Sequence, residues 1–217
     1  MIEAVAGQRG ATLAGSVYAA AEPDRLAAAS ALADAALWIH ADVIVAGGVH
    51  RGVDIDLVRE LVARQLGPLD VHLITDQLPG LLEEVCREPV SRITFPLEAC
   101  AEVADVAIVA EQVRAAGAEP WLAAAPGTDP ADILARLPHV EGVLIMLIEP
   151  GTSARADPTL RHKVAAVASR TVVGVDGGVN QGNLAAYLKA GARYVVSGRG
   201  LLSIVTETNP IAAPKGT

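Results

Sequence analysis

The chain has 217 residues, of which 52% are hydrophobic and only 3% aromatic. That length suits one domain, and its core must be built from Ala, Val, Leu and Ile. A formal net charge of −8 argues against a nucleic-acid partner, because binding a phosphate backbone needs a basic face; the same charge leaves room for a bound divalent cation.

Apolar strand-like runs fall at 11–17, 37–44, 69–75, 90–96, 119–124, 140–148, 171–176 and 193–197. They alternate with Ala/Leu/Arg/Glu-rich stretches of helical spacing, among them Pro23–Ala36, Asp54–Gln65, Leu81–Arg87, Ala101–Ala116 and Asn180–Ala190. Gly67, Gly117 and Gly191 stand where a helix commonly ends in a left-handed residue. Eight strands each followed by a helix predict an α/β fold, a single parallel (β/α)8 TIM barrel over residues 1–205. A doubly wound open sheet would want a Gly-x-Gly-x-x-Gly loop after its first strand, and none is present. Residues 206–217, with Pro210, Pro214 and Gly216, are expected to form a flexible tail. No apolar run reaches the roughly 18 residues a membrane span needs. Cys86 and Cys100 show neither metal spacing nor a disulfide framework. A cytoplasmic protein without membrane contact is therefore expected.

Polar residues inside apolar strands carry the chemistry. Trp38-Ile39-His40-Ala41-Asp42-Val43 places His40 and Asp42 two apart, on the same side of a strand. Leu69-Asp70-Val71-His72-Leu73 sets a second histidine in the next strand, and Val172–Asp176 ends the seventh strand with a carboxylate. Such groups are costly to bury unpaired, and a cation that took all four as ligands would remove most of that cost. Two imidazoles with two carboxylates suit Zn, Fe(II) or Mn better than Mg or Ca. The plainer alternative for Asp176 is a cap on the following helix. His50, His139 and His162 fall in loop or helix contexts and read as surface residues.

At these residues the chain resembles the ribulose-phosphate 3-epimerase family from about residue 12 to 204. The resemblance runs through Gly15-Ser16-Val17-Tyr18, His40-Ala41-Asp42-Val43, Asp70-Val71-His72-Leu73-Ile74 and Ile93-Thr94-Phe95-Pro96-Leu97-Glu98-Ala99. It continues through Val143–Gly151 and Val175-Asp176-Gly177-Gly178-Val179-Asn180. Six motifs in order are specific to the family. The resemblance implies a metal-dependent isomerase, a sugar (phosphate) 3-epimerase inverting the carbon beside a ketone. His40, Asp42, His72 and Asp176 would hold one divalent metal, and Asp42 and Asp176 would be the catalytic acid/base pair. Ser16, Met146, Gly151, Gly177, Gly178 and Gly198 would contact a small ketose or ketose phosphate, Ser16 orienting it and Met146 lying against the planar intermediate. Family members are usually homo-oligomers, which sets the expectation here. Two carboxylates make chemical sense, because one base cannot easily serve both faces of a carbon; no redox cofactor is needed.

The chain departs from the family pattern at three places. Ile44 and Ile74 stand where the family presents methionines, and Ile44-Val45-Ala46-Gly47-Gly48 replaces a Met-Asp-Gly-x-Phe stretch. The glycine-rich loop after the sixth strand reads Pro150-Gly151-Thr152-Ser153-Ala154-Arg155, and the Gly-Ser of the eighth strand reads Gly198-Arg199. Arg155 and Arg199 either grip an anionic group of the substrate or are rim charges. The alternatives to a sugar-phosphate epimerase are an epimerase for a non-phosphorylated or specialised-metabolism sugar, and a non-catalytic ligand-binding paralogue. Barrel decarboxylases and Schiff-base aldolases need an early barrel lysine, whereas the first lysine here is Lys163.

Overall fold

The computed structural model describes residues 6–7, 9–149, 152 and 154–208. Eight parallel staves close a barrel: β1 (Thr12–Ser16), β2 (Trp38–Ala46), β4 (Leu69–Thr75), β5 (Arg92–Pro96), β6 (Glu119–Ala124), β7 (Gly142–Met146), β8 (Val172–Asp176) and β9 (Tyr194–Ser197). Pairing of β1 with both β9 and β2 completes the ring. A helix follows each stave: α1 (Arg25–Asp34), α2 (Ile55–Ala63), α3 (Leu78–Val85), α4 (Val103–Ala115), α5 (Pro130–Arg136), α6 (Arg161–Ala168), α7 (Leu184–Ala190) and α8 (Arg199–Thr208). The expected barrel is present. The expected tail begins within α8, which runs on to Thr208; residues 209–217 lie outside the described residues.

Local chemistry sets the helices. Asp54 caps α2 by accepting a hydrogen bond from the Leu57 N–H at 2.7 Å, and α2 buries Ile55, Val58 and Leu61 at helical spacing. In α4, Glu102 and Asp105 form a reciprocal capping box. Helix α3 starts three residues earlier than its sequence pattern predicts, because Pro79 sits in a first turn where an N–H has no helical partner anyway. Gly191 does end α7 in a left-handed conformation, and Gly117 follows α4 at φ 84°. Gly67 does not end α2: the left-handed residue after that helix is Gln65 at φ 52°.

One element was not foreseen. β2 continues to Ala46 and folds back through Gly47-Gly48 into β3 (Val49–His50), pairing Ala46 with Val49. Both turn glycines have positive φ, 57° and 76°, the two-residue geometry that matches strand twist. The chain then returns along β2, with the Val53 N–H donating to the Asp42 carbonyl at 2.7 Å and the Arg51 N–H to that of Ile44 at 3.0 Å.

Alternation divides each stave. Outward residues such as Ala41, Val43, Val71, Leu73, Val143 and Val173 are fully buried against the helices. Inward residues fill the barrel, where Ala14, Trp121, Leu144, Met146, Tyr194 and Val196 form a second apolar cluster with Trp38 against it. The Trp121 ring needs two gaps to fit. A Cβ on Gly142 would come 2.5 Å from it, and one on Gly174 would come 3.2 Å from it. At the lower end of the barrel, the Arg92 guanidinium lies 3.8 to 4.5 Å from the ring centroids of Trp38, Trp121 and Tyr194. Its other end pairs with Glu119 at 2.9 Å.

Candidate active site

Register brings the inward polar residues to one place. On β2 and β4, His40 stands beside Asp70 and Asp42 beside His72; Ser16 stands beside His40, and Met146 beside Asp176. His40, Asp42, His72 and Asp176 each offer one donor atom, and those atoms all lie within 4.8 Å of one another. The ring centroids of His40 and His72 are 5.4 Å apart. Asp42 is the hub. Its Oδ1 is 3.1 Å from His40 Nε2 and 3.0 Å from His72 Nδ1, and its Oδ2 accepts from the Ser16 hydroxyl at 2.7 Å.

This donor set fits a divalent cation. Three of its members are buried and Asp176 is half-buried, so two imidazoles and two carboxylates are gathered where water is scarce. Asp176 caps no helix: α7 begins eight residues beyond it, behind Asn183. Instead, the turn after Asp176 is braced as a platform. Gly177 and Gly178 have φ of 103° and 70°. The Asn180 and Asn183 amides both donate to the Gly178 carbonyl, and the Ser197 hydroxyl donates to that of Val179.

The electrostatics separate the two carboxylates. Burial works against ionising Asp42, but the charges and hydrogen bonds of His40 and His72 outweigh it and hold Asp42 far below the usual carboxylate range. Burial and then the charge of Asp42 push Asp176 up to about 6. Burial disfavours a charged His40, yet Asp42 and Asp70 on either side carry its pKa well above the usual imidazole value. A pair of carboxyl groups pushed apart in this way suits one to accept a proton and the other to donate one.

A cavity of about 860 Å³ opens over this floor at the C-terminal end of the staves, the end where barrel active sites form. Ser16, Asp42, Met146, Asp176, Gly177, Gly178, Gly198 and Arg199 line it, together with Ile44 and Ile74. His40 and His72 lie beneath, each at most 1% exposed. Tyr18, Ile148, Thr152 and Asn180 also line it; they carry no strand-borne polar pattern that would have marked them in advance. Gly151 lies outside the described residues. Arg155 is not on the cavity wall. Ala154 lines the cavity and Ala156 packs against Gly178, so the intervening Arg155 is exposed, as a rim charge would be. His50 and His162 are exposed and His139 half-buried.

Sequence reasoning passed over Asp70. It is fully buried. Its Oδ2 lies 3.1 Å from His40 Nδ1 and accepts from the Tyr194 hydroxyl at 2.8 Å, and its Oδ1 accepts from the Thr94 hydroxyl at 2.8 Å. The signal was available: Asp70 and His72 are two apart, as His40 and Asp42 are, so both pairs face inward.

Comparisons with known proteins assign the chain a family. The family model described as the Ribulose-phosphate 3 epimerase family matches residues 13–202. A ribulose-phosphate 3-epimerase of Mycobacterium tuberculosis is 30% identical over 203 residues, covering 89% of this chain and 87% of the relative. One from Treponema pallidum is 31% identical over 182 residues, covering 79% and 81%. Among solved structures, a chain of the tryptophan synthase complex of Pyrococcus furiosus superposes with a TM-score of 0.67 at 18% identity over 92% of both chains, a likeness of fold alone. With the motifs in order, the donor set converged and the match spanning nearly every stave, the chain belongs to the ribulose-phosphate 3-epimerase family, isomerases that act on carbohydrates.

Proposed function

We propose that the protein is a metal-dependent 3-epimerase of a small ketose phosphate, with Asp42 and Asp176 as its two proton-transfer groups. The observation that carries this reading is the convergence of four donor atoms within 4.8 Å on the floor of a cavity whose wall includes both carboxylates. His40, Asp42, His72 and Asp176 would hold one divalent ion, with Zn, Fe(II) or Mn best matched to this mixed nitrogen and oxygen set. Such an ion, when bound, supplies Lewis-acid stabilisation of negative charge on the substrate oxygens.

The chain's own residues divide the remaining work. One carboxylate takes the proton from the carbon beside the ketone, and the C–H electron pair moves into the carbonyl system as an enediolate. The other carboxyl returns a proton to the opposite face, so configuration inverts with no net oxidation. The reverse reaction exchanges the two roles. Asp176, pushed up to about 6 by burial and the Asp42 charge, is suited to gain and lose a proton near neutral pH. Ser16 holds Asp42 by one oxygen at 2.7 Å, which fixes the carboxylate plane. Ile44, Ile74 and Met146 on the wall offer an apolar surface for a flat intermediate. Gly177, Gly178, Gly198 and Arg199 form the end suited to an anionic group, with Arg199 supplying the cation.

Incubation of the metal-loaded protein with ketose phosphates in D2O tests this directly. Deuterium uptake at the carbon beside the carbonyl, together with appearance of the epimer, is the expected result. Exchange only with non-phosphorylated ketoses would move the substrate class, and a metal-loaded protein that exchanges no ketose would favour a ligand-binding role.

A further inference from the structure

We propose that Asp70 is a positioning residue for the donor set, fixing the His40 ring so that its Nε2 faces the cavity, and that Thr94, Tyr194 and Arg92 hold Asp70 in place for that task. The inference rests on the reading of His40 as a metal ligand and adds a residue to it.

The geometry is closed on every side. Asp70 stands beside His40 on β2 and beside Arg92 on β5. Its carboxylate meets donors from three other staves: His40 Nδ1 at 3.1 Å, the Thr94 hydroxyl at 2.8 Å and the Tyr194 hydroxyl at 2.8 Å from across the barrel. The Arg92 guanidinium approaches to 4.0 Å. An ionised carboxylate can only accept hydrogen bonds. His40 Nδ1 therefore carries a proton, and Nε2, 3.1 Å from Asp42 Oδ1, is the ring atom turned toward the other donors, the one that would give up its own proton to take a cation. A carboxylate behind a ligand imidazole fixes the tautomer and the ring orientation and raises ligand basicity.

The support beneath Asp70 is built with equal completeness. Arg92 is boxed by the rings of Trp38, Trp121 and Tyr194 and tied to Glu119. Its Nη1 is buried and has no hydrogen-bond partner among the described residues, and it lies 4.0 Å from Asp70 Oδ2. A line of alternating charge thus runs from Glu119 at the barrel's lower rim through Arg92 and Asp70 to His40. A purely structural plug could be apolar. This one ends on a nitrogen of the donor set.

Zinc affinity of the full chain, measured by competition with a chromophoric chelator, tests the assignment. Asp70→Asn should weaken zinc binding by about 10–100-fold, and Tyr194→Phe and Thr94→Val should each weaken it by a smaller factor. Val173→Ala, an outward core change matched for loss of melting temperature, should leave the affinity unaltered. Nitrogen-15 NMR of the zinc-loaded protein should show His40 protonated at Nδ1 and liganded through Nε2. A folded Asp70→Asn protein that binds zinc within about twofold of the unsubstituted chain overturns the inference, as does a His40 protonated at Nε2 in the zinc-loaded protein. If Asp70→Asn does not fold, unchanged affinity in both Tyr194→Phe and Thr94→Val overturns it instead. Failure of the unsubstituted chain to take up zinc, manganese or iron(II) defeats the metal reading and the inference together. Unchanged affinity in the variants defeats the inference alone.

Discussion

Gly52 is the position where a single methyl group should damage fold and site together. It is not glycine for the sake of φ; it is glycine because the return segment after β3 lies against β2. A Cβ built on Gly52 overlaps the Asp42 carbonyl oxygen and stands 2.6 Å from Ile44 N and 2.8 Å from Ile44 Cγ1. Non-bonded carbons and their neighbours settle near 3.5 Å or more, so in Gly52→Ala the segment must retreat by roughly 1 Å. Retreat stretches the Val53 to Asp42 and Arg51 to Ile44 backbone hydrogen bonds, now 2.7 and 3.0 Å. It also disturbs the Arg25 guanidinium bond to the Gly52 carbonyl at 3.0 Å. Overpacking costs about 1–3 kcal/mol and two weakened hydrogen bonds about 1 kcal/mol each, for a total of roughly 3–5 kcal/mol. In a domain of this size that lowers the melting temperature by roughly 6–20 °C. The crowded carbonyl belongs to Asp42, so whatever part of the strain passes into β2 also shifts the Asp42 carboxylate, and a misplacement of about 1 Å in a reacting group costs on the order of 100-fold in rate. Thermal unfolding followed by circular dichroism, and epimerisation kinetics on the same preparation, measure both effects. Gly80→Ala serves as the control, because a Cβ there meets nothing within 4 Å and α3 should gain about 0.5–1 kcal/mol of helix preference. A Gly52→Ala protein that melts within about 2 °C of the unsubstituted chain and turns over at the same rate would refute the reasoning.

Asp42→Asn and Asp176→Asn should each lower turnover by about 100-fold or more while far-ultraviolet circular dichroism stays that of the folded barrel; near-normal activity in either variant removes it from the proton-transfer pair. Stripping metal with a chelator and adding zinc back at about 100 times its Kd should raise stability by about 2.7 kcal/mol, read as a higher melting temperature. Gly142→Ala should cost about 1–3 kcal/mol by pressing on the Trp121 ring; Trp121→Phe should relieve it, giving a non-additive double mutant by about 0.5 kcal/mol or more. Burial, aided by nearby Asp105 and Glu98, pushes the Cys100 thiol up to about 11. At pH 8 only about 0.1% of it is thiolate, so alkylation of the native protein should be slow and should quicken as pH rises.

Much of this architecture is legible in the sequence, for a simple reason. Staves buried on both faces read as apolar runs, so 69–75 and 119–124 match β4 and β6 residue for residue. His40 and Asp42 stood out because charge inside such a run needs an explanation. What stayed hidden depends on partners in space. The β3 hairpin is two residues long and has no pattern of its own; Gly47-Gly48 was its only mark. Gln65 takes a left-handed conformation that composition assigns to Gly67 two residues later. Asp70 had no role assignable from sequence, because the Tyr194 hydroxyl that donates to it comes from 124 residues away. Arg155 and Arg199 were indistinguishable as sequence, and only the path of the chain past Gly178 sets the first on the rim and the second on the cavity wall.

β2 contributes two of the four donors from a single nine-residue stave. Side chains on a strand change face with every step, so sliding β2 by one residue would turn His40 and Asp42 into the helix layer and bring Ala41 and Val43 inside. The slipped molecule would be a barrel of nearly the same outline with only His72 and Asp176 left to offer a cation. Tight uptake of a free divalent ion from solution should therefore act as a proofreader of strand alignment, separating faithfully assembled molecules from misthreaded ones that size and secondary structure alone would pass as equal.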